Sequence, residues 1–291
     1  MTPQLVALQL FTGLALGAVY VLLAVGLSLI FGMLTVVNFA HGAFFMVGAY
    51  AGYALYQVVP DFWLCLVLVP IIVAAFGMAV ERTLIRPLYG RGIDYPLLLT
   101  FGLAYVMVEA VRIVFGKQGL PVDTPELLQG SADILVGEFP VYRLFVIGVT
   151  ALVLAGLWLF IEKTSFGLIV RAGARDPQIV RILGIDVARV WLIVFGLGTG
   201  VAGLAGFLAA PMQGISPEMG GSVLTVAFVV TVVGGMGSLA GAIVAGVLVG
   251  IVESMAVLFV PEAAKVSMFV IMALVLLVRP QGLFGRAGLM N

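Results

Sequence analysis

Few ionisable or polar side chains interrupt the apolar runs of this 291-residue sequence: Asn38 beside His41, Glu109 with Arg112, and Glu253. A polar group at membrane depth is costly, so it marks either a path for solute, ion or proton or a helix end that needs a partner. The run Val37-Asn38-Phe39-Ala40-His41-Gly42 sets two such groups where two apolar stretches meet. Taken singly, Asn38 and His41 read as caps satisfying freed backbone groups. Clustered beside Gly42, they read as a hinge on a translocation path. Glu109 and Arg112 stand three residues apart and share a helical face. They read as an interfacial ion pair with a snorkelling arginine or as the lining of an outer vestibule; Glu81 with Arg82 reads as the same kind of interfacial pair. Glu253 lies more than a turn inside an apolar run with no obvious local partner, so it must face protein or water rather than lipid.

These residues form no catalytic set. His41 is the single histidine and has no carboxylate near it in sequence, so a protein-only zinc site is not expected. The single cysteine, Cys65, excludes an internal disulfide. The chain contains no GxxxxGK[ST], so no P-loop is expected in it; ATP-driven work would need another polypeptide, and no cofactor is expected in this chain.

Two further patches carry structural signals. Gly234-Gly235-Met236-Gly237-Ser238 has three glycines in four residues, which is unfavourable inside a helix. It reads as a broken helix whose free N–H groups line a cavity or subunit seam, or as a tight turn between two spans. The segment Lys163 to Arg189 carries Lys163, Arg171, Arg175, Arg181 and Arg189 in an otherwise apolar chain. Asp176-Pro177 is an N-cap and first-turn pair, and Gly184 is a stop signal after Leu183. The segment therefore reads as an ordered basic helix between two spans and a docking surface, beyond the topology role that charge alone would fill.

The elements that must position these groups follow from composition. The chain is 63% hydrophobic and 10% charged with no net charge, and its mean hydropathy is +1.25. A soluble domain is nearer half apolar and a quarter charged, and nothing in the charge balance suggests nucleic acid. Lipid cannot satisfy an open sheet edge, and the runs are too long for barrel strands, so the expected fold is all-α: a polytopic helical membrane protein of about 8–9 transmembrane helices, one or two of them short or broken. The runs are Leu5–Val37 (tilted or broken by its length), Phe39–Val59, Phe62–Val80, Tyr95–Phe115, Arg143–Ile161, Val190–Ala210, the short Gly221–Gly235, Ser238–Phe259 and Val266–Val278. Polar loops are expected over Glu81–Asp94, Gly116–Tyr142 and Pro211–Gly221. The first run, with no basic region before it, is expected to remain as a span rather than be cleaved. Arg82 to Arg91, Lys163 to Arg189, and Arg279 with Arg286 belong on the cytoplasmic side, which gives an N-terminus outside and a C-terminus in the cytoplasm. The pairs Gly13/Gly17, Gly48/Gly52, Gly237/Gly241 and Gly246/Gly250 read mostly as close helix packing. The whole of 1–291 reads as one transmembrane domain, with 163–189 as a segment within it.

Four blocks carry a family resemblance: GLSLIFGMLTVVNFAHGAFFMVGAY (Gly26 to Tyr50), RAGARDPQIVRILGID (Arg171 to Asp186), GVAGLAGFLAAPMQGISPEMG (Gly200 to Gly220) and VVGGMGSLAGAIVAGVLVG (Val232 to Gly250). In this order, over essentially the whole chain, they resemble the LivH/LivM permease subunits of branched-chain amino acid ABC importers, the first block lying nearer the LivH side. Val180 stands where relatives usually carry alanine. The resemblance implies a bacterial or archaeal inner-membrane permease without its own ATPase site. Its implied partners are a second, LivM-like permease, two cytoplasmic P-loop ATPase subunits and an extracytoplasmic substrate-binding protein, with a branched-chain amino acid as substrate. It further implies that the stretch Arg171 to Ile185, with Arg171, Ala172, Arg175, Asp176, Arg181, Gly184 and Ile185, docks on an ATPase. Asn38, His41, Gly42, Gly234, Gly235, Gly237, Ser238 and Glu253 remain candidates for the path or its hinges. A related urea or short-amide importer is the nearest alternative. An ATP-independent carrier would be expected to bury several mid-span charges, and a membrane enzyme would need clustered Asp, Glu, His or Ser near one interface.

Overall fold

The computed structural model describes residues 2–34, 37–92, 94–134 and 137–285. The expectation placed on Arg286 falls outside them. The nine apolar runs all form helices, and seven helical segments among the described residues are long and apolar enough to cross a membrane. The other two apolar helices are α2 (His41–Val58, 18 residues) and the shorter α9 (Met219–Gly234, 16 residues).

Two helices form the centre. The apolar windows of α1 (Pro3–Leu34) and α8 (Val187–Gln213) are 83% buried, against 33% or less for the other five long segments. Small residues explain why these two can lie inside. α10 (Leu239–Phe259) runs antiparallel along α1, where Gly13 and Gly17 face Gly246 and Gly250; a Cβ on Gly13 would sit 2.6 Å from the Ile251 Cα. With no hydrophobic drive between helices in lipid, such backbone approach supplies the attraction through van der Waals contact. On its other side α8 is clasped by α2 and by α3 (Phe62–Val80). Gly48 of α2 lies directly against the Gly203 backbone, and Gly203 and Gly200 admit Val73 and the Pro70 carbonyl of α3. α4 (Asp94–Phe115), α5 (Val141–Lys163) and α11 (Ala264–Val278) lie at the periphery and expose Val106, Leu152 and Leu277.

The connections segregate to two ends. One end carries 59–61, 116–140, 214–218 and 260–263, and includes a small antiparallel hairpin, β1 (Ser131–Asp133) with β2 (Glu138–Pro140), and a bridge from Leu120 to Ile215. The opposite, basic end carries 81–92, the segment 164–186, the turn 235–238 and residues 279–285.

Several sequence expectations are corrected. Of the two readings of the long first run, tilted or broken, α1 excludes a break over Pro3–Leu34: it is one continuous helix of 32 residues. Glu81–Asp94 is not a loop from its start: the helix of α3 runs on through a π-helical turn, Glu81–Ile85, and a 3-10 turn, Arg86–Leu88. Glu81 does not pair with Arg82, because adjacent helical residues diverge; its carboxylate faces Arg86 at 3.5 Å and accepts from the Tyr89 hydroxyl at 2.9 Å. α8 continues through Pro211 to Gln213, and α9 begins at Met219, so the loop between them is short. The long 116–140 connection holds the two three-residue strands, which its position outside the apolar helices permits.

Candidate functional site

The candidate residues separate into four places. At the basic end, 163–189 forms two helices rather than one. α6 (Ser165–Gly173) is capped by the Thr164 hydroxyl, which accepts from the Gly167 amide at 3.0 Å. α7 (Pro177–Ile182) is capped as its residues demand: the Asp176 carboxylate accepts from the Gln178 and Ile179 amides at 2.9 and 3.1 Å, and Gly184 leaves the helix at φ +81°. Arg171 turns back onto α5, donating to the Ile161 carbonyl and pairing with Glu162 at 3.0 Å. It anchors α6. Arg175 is exposed, and Ala172 is exposed beside it, while Ile185 is half-buried. Val180 is buried, whereas Ile182 and Leu183 are 83% and 72% exposed. The outward surface therefore sets two large aliphatic side chains, Ile182 and Leu183, among the exposed cations Arg175 and Arg181.

This segment is tied to the bundle. The Arg181 guanidinium lies 5.6 Å over the Trp191 ring of α8, and Trp191 meets Tyr89 edge-on at 5.0 Å. Arg86 donates to the Ala188 carbonyl at 2.8 Å. Motion of α7 would thus reach α8 and the end of α3 through contacting side chains. Burial pushes the Tyr89 phenol above its ordinary value of 10.0, and the Glu81 carboxylate adds to the shift. Sequence reasoning missed this Glu81–Tyr89–Arg86 group, since it treated the region as a loop; the five-residue spacing of Glu81 and Arg86 across a π-turn was the available signal.

Asn38, His41 and Gly42 lie inside the bundle, at the start of α2. Asn38 and His41 are fully buried. The His41 Nε2–H donates to the Leu23 carbonyl at 3.0 Å, eleven positions before the end of α1. At 1.5 Å per residue, α2 therefore starts roughly 16 Å along α1 from its basic end. Residues 37–40 are irregular backbone at depth, tolerable because protein surrounds them. The Asn38 side-chain oxygen accepts from the Ala40 amide at 3.1 Å, and the Phe39 amide donates to Thr100 Oγ1 of α4 at 3.2 Å. Asn38 Nδ2 and His41 Nδ1 have no hydrogen-bond partner among the described residues. Gly42 packs on Gly220 of α9, leaving no space for a Cβ.

Gly234 to Ser238 forms the turn from α9 to α10. Gly235 and Gly237 have φ of +100° and +78°, and Ser238 Oγ caps α10 by accepting from the Gly241 amide at 3.1 Å. Backbone from the chain's end covers this turn: the Leu283 and Phe284 amides donate to the Val233 and Gly234 carbonyls at 2.8 and 2.9 Å.

Glu253 lies towards the hairpin end, accepting from the Tyr20 hydroxyl at 2.9 Å. It lines a cavity of about 420 Å³ that Arg143 and Lys265 also line. Tyr20, alone among apolar neighbours in α1, was the sequence signal for this partner. Nearby, Arg112 bonds both Glu109 (3.1 Å) and Glu218 (2.8 Å), and its guanidinium holds the Glu218 carboxyl below the usual carboxylate range. Among the described residues no group of three or more His, Cys, Asp or Glu could hold a metal.

The family described as branched-chain amino acid transport system / permease component matches residues 9–279. The high-affinity branched-chain amino acid transport system permease protein BraD of Pseudomonas aeruginosa is 32% identical, over 96% of this chain and 95% of that protein. The corresponding LivH of Escherichia coli K12 is 29% identical over 96% of this chain and 95% of its own length, and LivM of the same organism is 28% identical over 91% and 67%. No solved structure matches the chain.

Proposed function

Because the chain belongs to the family of branched-chain amino acid transport system permease components, we propose that it is the LivH-like permease subunit of an ATP-driven importer for branched-chain amino acids. A LivM-like second permease would complete the path, two P-loop ATPase subunits would supply the work, and a substrate-binding protein would deliver the amino acid at the hairpin end. The basic end faces the cytoplasm in this reading, because it gathers Arg82, Arg86, Arg91 and the cations of 163–189. The observation that carries the coupling role is the capped α6–α7 pair with Ile182 and Leu183 outward. An apolar patch rimmed by cations suits a groove on a soluble partner. ATPase closure would push α7, and the Arg181–Trp191–Tyr89 contacts would pass the motion to α8 and α3, rocking packed helices as bodies.

Ile182→Asp with Arg175→Glu tests this, since neither residue is used to anchor the segment. Uptake of labelled leucine is expected to fall at least ~10-fold, the loss of about 1.4 kcal/mol or more of docking energy, with membrane insertion intact and the ATPase subunits lost from the purified complex. Full uptake with the ATPases retained would remove the docking role.

A further inference from the structure

The cavity that Glu253 lines holds an unusual charge arrangement. Glu253, Arg143 and Lys265 share about 420 Å³, yet among the described residues none of the three makes a salt bridge. Among the described residues their side-chain hydrogen bonds are two: Tyr20 donates to Glu253 at 2.9 Å, and Arg143 uses one nitrogen to reach Thr12 Oγ1 at 3.2 Å. Glu253 and Arg143 are half-buried without an ion-pair partner, while Lys265 is exposed; a half-buried charge gains from a ligand that brings the opposite charge and a hydrogen bond with it. Much of the remaining wall is apolar, including the buried Phe45 and Met268 of α11, and Thr12, Gln213, Ser222 and Thr225 add polar atoms to it. The volume is within the range of small-molecule sites, which are mostly apolar with a few placed polar groups.

We propose that this cavity is a transient subsite for a zwitterionic α-amino acid with an apolar side chain. Glu253, oriented by Tyr20, takes the ammonium; Arg143 and Lys265 take the carboxylate; the Phe45 and Met268 wall takes the side chain. A zwitterion completes both sets at once, which a neutral amide or urea cannot do. The permease itself therefore discriminates α-amino acids, beyond any choice made by a binding protein. The inference rests on the transport reading above.

The single cysteine, Cys65, is buried, so Cys65→Ser with Ser222→Cys places one thiol on the cavity wall. Labelling of that thiol by a methanethiosulfonate reagent is followed in the complete transport system in nanodiscs. L-Leucine is expected to slow labelling several-fold, while leucinamide and 4-methylpentanoate, each lacking one charge, leave it unchanged. Glu253→Gln and Arg143→Gln should each erase the protection at unchanged membrane expression. No protection by L-leucine, equal protection by all three compounds, or protection that survives both substitutions would overturn the subsite. Leucine uptake by the unaltered system is measured alongside: uptake without protection sinks the subsite alone, and absence of uptake sinks the permease reading with it.

Discussion

Glu81 shows how a single side chain can organise one end of this bundle. It is fully buried, and its carboxylate is reached by Tyr89 at 2.9 Å and Arg86 at 3.5 Å. Removing the phenol leaves a buried carboxylate short of a donor, and hydrogen bonds to charged groups contribute roughly 1.5–3 kcal/mol. Tyr89→Phe should therefore lower stability by about 2 kcal/mol in detergent unfolding measurements. The wild-type protein should also lose stability at high pH. The folded phenol titrates above its ordinary 10.0, so its contribution is complete below that pH and declines as pH climbs past it, when the unfolded chain ionises first. The phenylalanine variant should lack that decline; an identical pH profile would rule out the Tyr89–Glu81 contact. Little of this was legible in the sequence. Glu81 and Arg82 look like the polar end of a span, and only the π-turn brings Arg86 back to Glu81. By contrast Glu109 and Arg112 pair as their spacing required, at 3.1 Å.

Helix packing rests on a few glycines rather than on glycine content in general. Gly48 lies against the Gly203 backbone, while a Cβ at Gly148 on peripheral α5 would meet nothing within 4 Å. Gly48→Ala should cost about 1–3 kcal/mol through forced backbone shifts, whereas Gly148→Ala should be neutral or stabilising by up to ~1 kcal/mol from helix propensity. Thermal denaturation of the two variants reads this, and equal effects would contradict the packing account. The GxxxG pairs of α1 and α10 were legible as packing; which pairs meet was not, because contact between residues over 200 positions apart leaves no local mark. Gly237/Gly241 shows the limit of such motifs: Gly237 lies in a turn at φ +78°, before the helix begins. The caps of α7, α10 and α8 were encoded locally by Asp176, Ser238 and Asp186, and local rules suffice for caps. The deep start of α2 was not legible, since it depends on His41 reaching Leu23 of a different helix.

At the scale of the molecule, the account is of a helical body with two unlike ends. One carries the hairpin, the Arg112–Glu218 ion pair and the Glu253 cavity. The other carries cations and two capped helices with exposed aliphatic residues. Between them α1 and α8 are continuous and buried, as rigid elements must be if displacement at one end is to be felt at the other. The most direct measurement is co-purification from native membrane, followed by ATP hydrolysis with and without a leucine-loaded binding protein. The account predicts that two P-loop ATPases and a second permease accompany this chain and that leucine raises hydrolysis several-fold. Recovery of the chain alone, moving leucine without ATP, would contradict it.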